Sequence, residues 1–166
     1  KISLLAITDF TYEVIDASAM TIRITGYKAA DTTLDIPASI DGYTVTEIAD
    51  HALQGKRLTA VTLPPTLTQI GNYAFADNDL LTITFPVGLV SIGDYAFRDN
   101  ELTAVTIPAS VQTIGSAAFI SNFIATLTIQ EDPTTGSSLQ TIGNSAFEQN
   151  NLVEVALPTS IMSMGT

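Results

Sequence analysis

One unit of 22 residues recurs along the chain. Pro64, Pro86 and Pro108 stand 22 residues apart, and the same interval separates Gly71, Gly93 and Gly115, and again Phe75, Phe97 and Phe119. The segments LTAVTLPPTLTQIGNYAFADND, LLTITFPVGLVSIGDYAFRDNE and LTAVTIPASVQTIGSAAFISNF share the pattern L-x-x-V-x-L-P-x-x-L-x-x-I-G-x-x-A-F-x-x-N. A unit this short cannot bury its own phenylalanine, so it must rest on a neighbour that offers the same surface. A fixed period in the twenties therefore specifies a solenoid of stacked coils.

Each letter of the unit has a physical task. Val61 and Leu63 alternate with Ala60 and Thr62, the period of two expected of a short strand with one face inward. Pro64 lacks an N–H for a strand ladder and ends that strand. Ile70 is the next inward position, and Gly71 is expected to lend backbone freedom to a turn. Ala74 and Phe75, small beside large, then read as a tight turn or short 3₁₀ segment whose ring plugs the coil. Asn78, Asn100, Asn122 and Asn150 close the pattern. An inward Asn is expected to bond the backbone of its own loop and of the next coil, satisfying groups that would otherwise be buried unpaired.

Two coils are longer. Pro37 to Pro64 is 27 residues, so DGYTV reads as an insertion before TEIADHALQGKRL keeps the inward positions Ile48, Ala52 and Leu53. Gly115 to Gly143 is 28, which places a second insertion near EDPTTGSS. Insertions of this kind become edge loops. Ahead of the array, KISLLAI reads as a strand, and FTYEV and MTIRITGY alternate around IDASA as a capping hairpin. LPTSIMSMGT repeats the pattern only as far as Met164 and Gly165. The expected organisation is a capping hairpin over residues 1–31 and a solenoid of five to six coils over 32–166, the last incomplete, with its uncapped end open to pairing with a second copy.

Composition narrows the partners. Six Lys plus Arg against seventeen Asp plus Glu give a net charge of −11 over 166 residues, which opposes binding to nucleic acid or to anionic bilayers. With 46% hydrophobic and 14% charged residues, the chain can bury a core, and no apolar run reaches the roughly 20 residues a bilayer span needs. The chain has no cysteine, which rules out disulfides and thiolate metal sites and leaves the redox compartment unread.

The strings IPASVQTIGSAAF and LPPTLTQIGNYAF resemble the BspA-like leucine-rich repeats of bacterial surface proteins. The resemblance covers residues 32–166, and FTYEV…ITGY…LDIPASIDGYTVTEIADHAL resembles the lead-in to such arrays. Many members carry Cys near the end of the unit where this chain carries Asn, so no inference from those thiols transfers. The resemblance implies a mostly β, right-handed, curved leucine-rich-repeat solenoid with strands on its concave side. It also implies export to the cell surface or secretion, and attachment to host or neighbouring-cell proteins without catalysis.

His51 is the only histidine, with no partners suggesting a metal site or a catalytic triad. The carboxylates of Asp77–Asp79 and of Asp99 and Glu101 lie on successive outer loops, but lack a full calcium ligand run with its glycine turn and read as solvated charges. GSAAF and GNSAF are repeat corners, neither phosphate cradles nor nucleophile elbows. No catalytic, cofactor or metal residue is assigned. Tyr73 and Tyr95 lie beside the AF pair, where anchoring a partner and packing between coils both account for them. The candidate interaction face is the strand ladder, with Thr62, Thr84, Thr106 and Thr128 in one expected row and Thr82 and Thr126 beside it. Those hydroxyls suit a protein edge or a glycan, while threonine also simply suits an exposed strand. The function expected is a binding or adhesion module; the alternatives are a spacer displaying another domain and a carbohydrate-binding module.

Overall fold

A computed structural model describes residues 8–166; the strand expected over KISLLAI lies outside the described residues. The chain is a β-solenoid of about seven turns with no helix among the described residues. It opens with β1 (Phe10–Asp16) and β2 (Thr21–Tyr27), an antiparallel hairpin, as the alternation of FTYEV and TIRITGY predicts. Three further strands, β3 (Thr33–Asp35), β4 (Ser39–Ile40) and β5 (Tyr43–Ile48), form the first long coil. The inserted Asp41-Gly42 turn folds β4 back on β5, with φ of 51° and 82° at those two residues, the left-handed pair that a two-residue hairpin requires.

The regular coils contribute β6 (Ala60–Thr62), β7 (Gln69–Ile70), β8 (Ser91–Ile92), β9 (Ala104–Ile107), β10 (Thr113–Ile114), β11 (Thr126–Ile129), β12 (Thr141–Ile142) and β13 (Ser163–Met164). The continuous sheet is built by the short strands that follow each proline. It runs β1-β2-β5-β7-β8-β10-β12-β13, parallel from β2 onward and with Ile48, Ile70, Ile92, Ile114, Ile142 and Met164 in one register. The hairpin thus feeds directly into the array: β2 lies parallel beside β5, an opening rung outside the 22-residue pattern. Tyr27 fixes this end, its ring 4.8 Å from Phe10 and its hydroxyl donating to Asp31 at 2.5 Å. Burial, and then the Asp31 carboxylate, push the Tyr27 phenol up to about 12.

The core is one continuous column. Leu53, Phe75, Phe97 and Phe119 are fully buried. The rings of Phe75, Phe97, Phe119 and Phe147 stack with centroids 5.1, 5.4 and 5.2 Å apart and planes within 7° of parallel. Burying each ring stabilises by roughly 1.5–3 kcal/mol, and each aromatic contact adds about 0.5–1.5 kcal/mol.

Beside this column runs the asparagine ladder. Asn78 Oδ1 accepts the N–H groups of Lys56 and Leu58 at 3.0 Å, and its Nδ2 donates to the carbonyls of Leu53, Phe75 and Ala76. Asn100 and Asn122 repeat the arrangement while buried, and Asn150 continues it. The partners are in each Asn's own turn and in the preceding coil, not the following one as the sequence suggested. The direction follows from placement: the Asn closes its unit, and its side chain reaches back under the turn before it.

The glycines also act differently from the expectation. Gly71, Gly93, Gly115 and Gly143 do not take a positive φ. A Cβ at Gly93 would lie 2.6 Å from the Gly71 carbonyl carbon and 2.7 Å from the Asn72 nitrogen. These residues are glycine because coils approach backbone to backbone there, not because the turn needs their freedom. The left-handed positions of the turn are elsewhere: His51, Tyr73, Tyr95, Ala117 and Ser145 form one set, and Gly55, Asp77, Asp99, Ser121 and Gln149 the other, all with φ between 50° and 65°. This backbone directs N–H groups at the next coil. Tyr73, Phe75 and Asp77 donate to the carbonyls of Asp94, Ala96 and Arg98, and Tyr95, Phe97 and Asp99 donate to those of Ser116, Ala118 and Ile120.

Candidate functional site

The segments that lead into Pro64, Pro86 and Pro108, together with β11, carry the threonines. Thr62, Thr82, Thr84, Thr106, Thr126 and Thr128 are all exposed, while Leu63, Ile83, Phe85, Val105 and Ile107 are buried between them. Alternation places them on a common face, as the period of two predicts.

The continuous ladder expected there is absent. Asp35 pairs with Thr62 in the β3–β6 sheet, and Thr106 pairs with Thr128 in the β9–β11 sheet. The intervening coil pairs with neither: Leu81–Phe85 has no strand assignment and makes no backbone hydrogen bond. Thr84 therefore does not bridge Thr62 to Thr106.

Position 85 carries a phenylalanine where neighbouring coils have Leu63 and Ile107. Phe85 packs its ring edge-on to Phe97 at 5.5 Å and to Phe119 at 6.3 Å, both at 75°. The coils stay closed on either side of the break: Asp79 N–H donates to Leu58 C=O at 2.9 Å, and Glu101 N–H to Leu80 C=O at 3.0 Å.

The break makes a cavity of about 280 Å³ whose polar lining is Thr33, Asp35, Thr62, Thr82 and Thr84. A second, of about 290 Å³, lies beside Leu63, Pro65, Phe85 and Pro86. Backbone groups of Leu81–Phe85 are left for water or a ligand to satisfy. Chemically, the face offers hydroxyls, one carboxylate and unpaired backbone groups that can hydrogen-bond a ligand. Among the described residues no group of three His, Cys, Asp or Glu side chains is placed to hold a metal ion.

The remaining candidates each have partners within the chain. His51 is exposed, shares a 2.7 Å hydrogen bond between its Nδ1 and Gln54 Oε1, and stacks on Tyr73 at 4.9 Å. Tyr73 stacks on Tyr95 at 4.7 Å, and both are half-buried. These tyrosines therefore pack between coils while keeping part of each ring exposed. Asp77 accepts a hydrogen bond from Gln54 Nε2 at 2.7 Å, and Asp99 pairs with Arg98 at the same distance.

The fold and its repeats define a leucine-rich-repeat solenoid. Six copies of the BspA type leucine-rich repeat region match residues 46–166, and the chain belongs to that family. Among solved structures it is similar to the T. pallidum leucine-rich repeat protein TpLRR, with 26% identity, a TM-score of 0.71, and coverage of 95% of this chain and 79% of that one. It is also similar to the pneumococcal vaccine antigen PcpA, with 26% identity and a TM-score of 0.79 over 95% of this chain but only 45% of PcpA's. A leucine-rich cell surface protein of Faecalibacterium prausnitzii shares the fold, at 22% identity and a TM-score of 0.62 over 95% of this chain and 49% of that one. No curated protein matches the chain. Among the described residues no helix is long and apolar enough to cross a membrane.

Proposed function

We propose that the chain is a non-catalytic recognition module of a secreted or cell-surface protein, binding a protein partner through its threonine face. The observation that carries this reading is the broken ladder. Five consecutive residues, Leu81–Phe85, make no backbone hydrogen bond, on a face of exposed threonines beside a polar cavity. A partner that supplies donors and acceptors there replaces water without disturbing the stack. Relatives support the setting: the family is that of bacterial leucine-rich repeats, and one neighbour of similar fold is a vaccine antigen.

The test is to immobilise the protein and probe it with extracellular-matrix proteins and a glycan array, alongside a variant carrying Thr62→Arg and Thr82→Arg. The reading expects a protein ligand that the double variant loses. A ligand that binds both forms equally overturns the face, a glycan ligand replaces the partner class, and no ligand at all favours the spacer.

A further inference from the structure

The inserted loop of the long coil builds a groove that lies off the threonine face. β9 and β11 end together, Ile107 opposite Ile129. Beyond them one coil turns at Pro108, while the next runs out through residues 130–138. Both feet of this loop are tied to the coil before it: Gln130 N–H donates to Ile107 C=O at 2.9 Å, and Ser138 N–H to Ala109 C=O at 2.8 Å. Between the feet, Asp132 and Gly136 exchange backbone hydrogen bonds of 3.0 and 2.8 Å, and the φ of 74° at Gly136 allows that closure.

Between loop and corner lies a cavity of about 560 Å³, lined on one side by Val87, Pro108 and Ala109 and on the other by Glu131, Asp132 and Pro133. Its size is that of a site for a ligand or short peptide segment rather than for one side chain. Val87 is 86% exposed, and Glu131 and Asp132 are exposed at the other wall. Asp132 Oδ1 accepts the N–H groups of Thr134 and Thr135 at 2.8 and 3.0 Å, which holds its carboxyl at about 2, the Thr134 bonds contributing most. The carboxylate stays charged under all ordinary conditions. No lysine or arginine occurs after Arg98, so this half of the chain has no cation of its own to answer Glu131 and Asp132.

We infer that this groove receives a short basic segment of a protein partner, with aliphatic stems on Val87, Pro108 and Pro133 and cationic heads at Glu131 and Asp132. Lysine and arginine match the lining because each carries an apolar stem and a terminal charge, and opposite charge also speeds encounter. A neutral apolar segment would leave both carboxylates unanswered.

The test titrates ¹⁵N-labelled protein with acetyl-Val-Lys-Val-Arg-amide, and separately with acetyl-Val-Gln-Val-Gln-amide. The inference expects saturable shifts at Val87, Ala109 and residues 131–138 with the basic peptide alone, weakening as salt screens the charges. Glu131→Gln combined with Asp132→Asn should weaken binding by about tenfold or more. Asn at 132 keeps an oxygen for the Thr134 and Thr135 amides, so unchanged shifts there in the free variant show that the loop still folds. Equal binding of both peptides, shifts spread over all the acidic loops, or no saturable shift would overturn it. Thr62→Arg with Thr82→Arg should leave this binding intact, which separates its failure from that of the threonine face.

Discussion

The turn side and the threonine side of each coil are made of the same repeat, yet one is fully bonded and the other is not. On the turn side every coil from Leu53 to Phe119 stacks a buried side chain on the next, and each asparagine and each left-handed turn ties two coils together. On the threonine side the ladder breaks at Leu81–Phe85. The contrast separates two tasks. Stability resides where side chains and backbone agree on a fixed spacing, which leaves the opposite face free to lose hydrogen bonds without unfolding the stack.

The strongest way to break this contrast is to cut the column. Phe97→Ala removes a ring stacked on Phe75 and Phe119 and should destabilise by roughly 3–5 kcal/mol, read by chemical denaturation. Asn100→Ala comes next. It orphans the Leu80 N–H and the Phe75 carbonyl at about 1–3 kcal/mol for each buried group left unpaired; Asn100→Asp tests whether the amide donor is essential. Gly93→Ala forces neighbouring backbones apart and should cost about 1–3 kcal/mol, more than the same exchange at Gly88, where an added Cβ meets nothing within 4 Å. Phe85→Leu sharpens the contrast instead. It restores the aliphatic residue of the neighbouring coils, gives up two edge-on ring contacts at about 0.5–1.5 kcal/mol each, and should close the ladder, seen as slower amide exchange at Thr82 and Thr84.

Much of this was legible in the letters. The 22-residue spacing of Phe75, Phe97 and Phe119 announces a column because no single coil can shelter such a ring, and the Asn positions announce buried backbone to be satisfied. The direction of the Asn bonds was not legible, since a side chain at a unit boundary can reach either way. The glycines were misread for a physical reason: turn freedom and close approach both select glycine, and only geometry separates them. The left-handed residues hid behind Tyr73, Tyr95 and Ala117, types that seldom signal positive φ; the run Gly55, Asp77, Asp99 at the companion position was the available hint. The broken ladder was not legible: Phe85 stands out among Leu63 and Ile107, but Val153–Leu157 is unpaired as well and carries Leu157 at that position. The threonine pattern still looked unbroken, because alternation fixes which way side chains face and not whether strands touch.

Native-state hydrogen exchange on the unmodified protein compares the two sides within one molecule. Strong, similar protection is expected for the amides of Leu80, Leu102, Phe75 and Phe97, which donate to an asparagine or to the next coil, and rapid exchange from Leu81 through Phe85. Equal protection across Leu81–Phe85 and the turn amides would contradict that contrast.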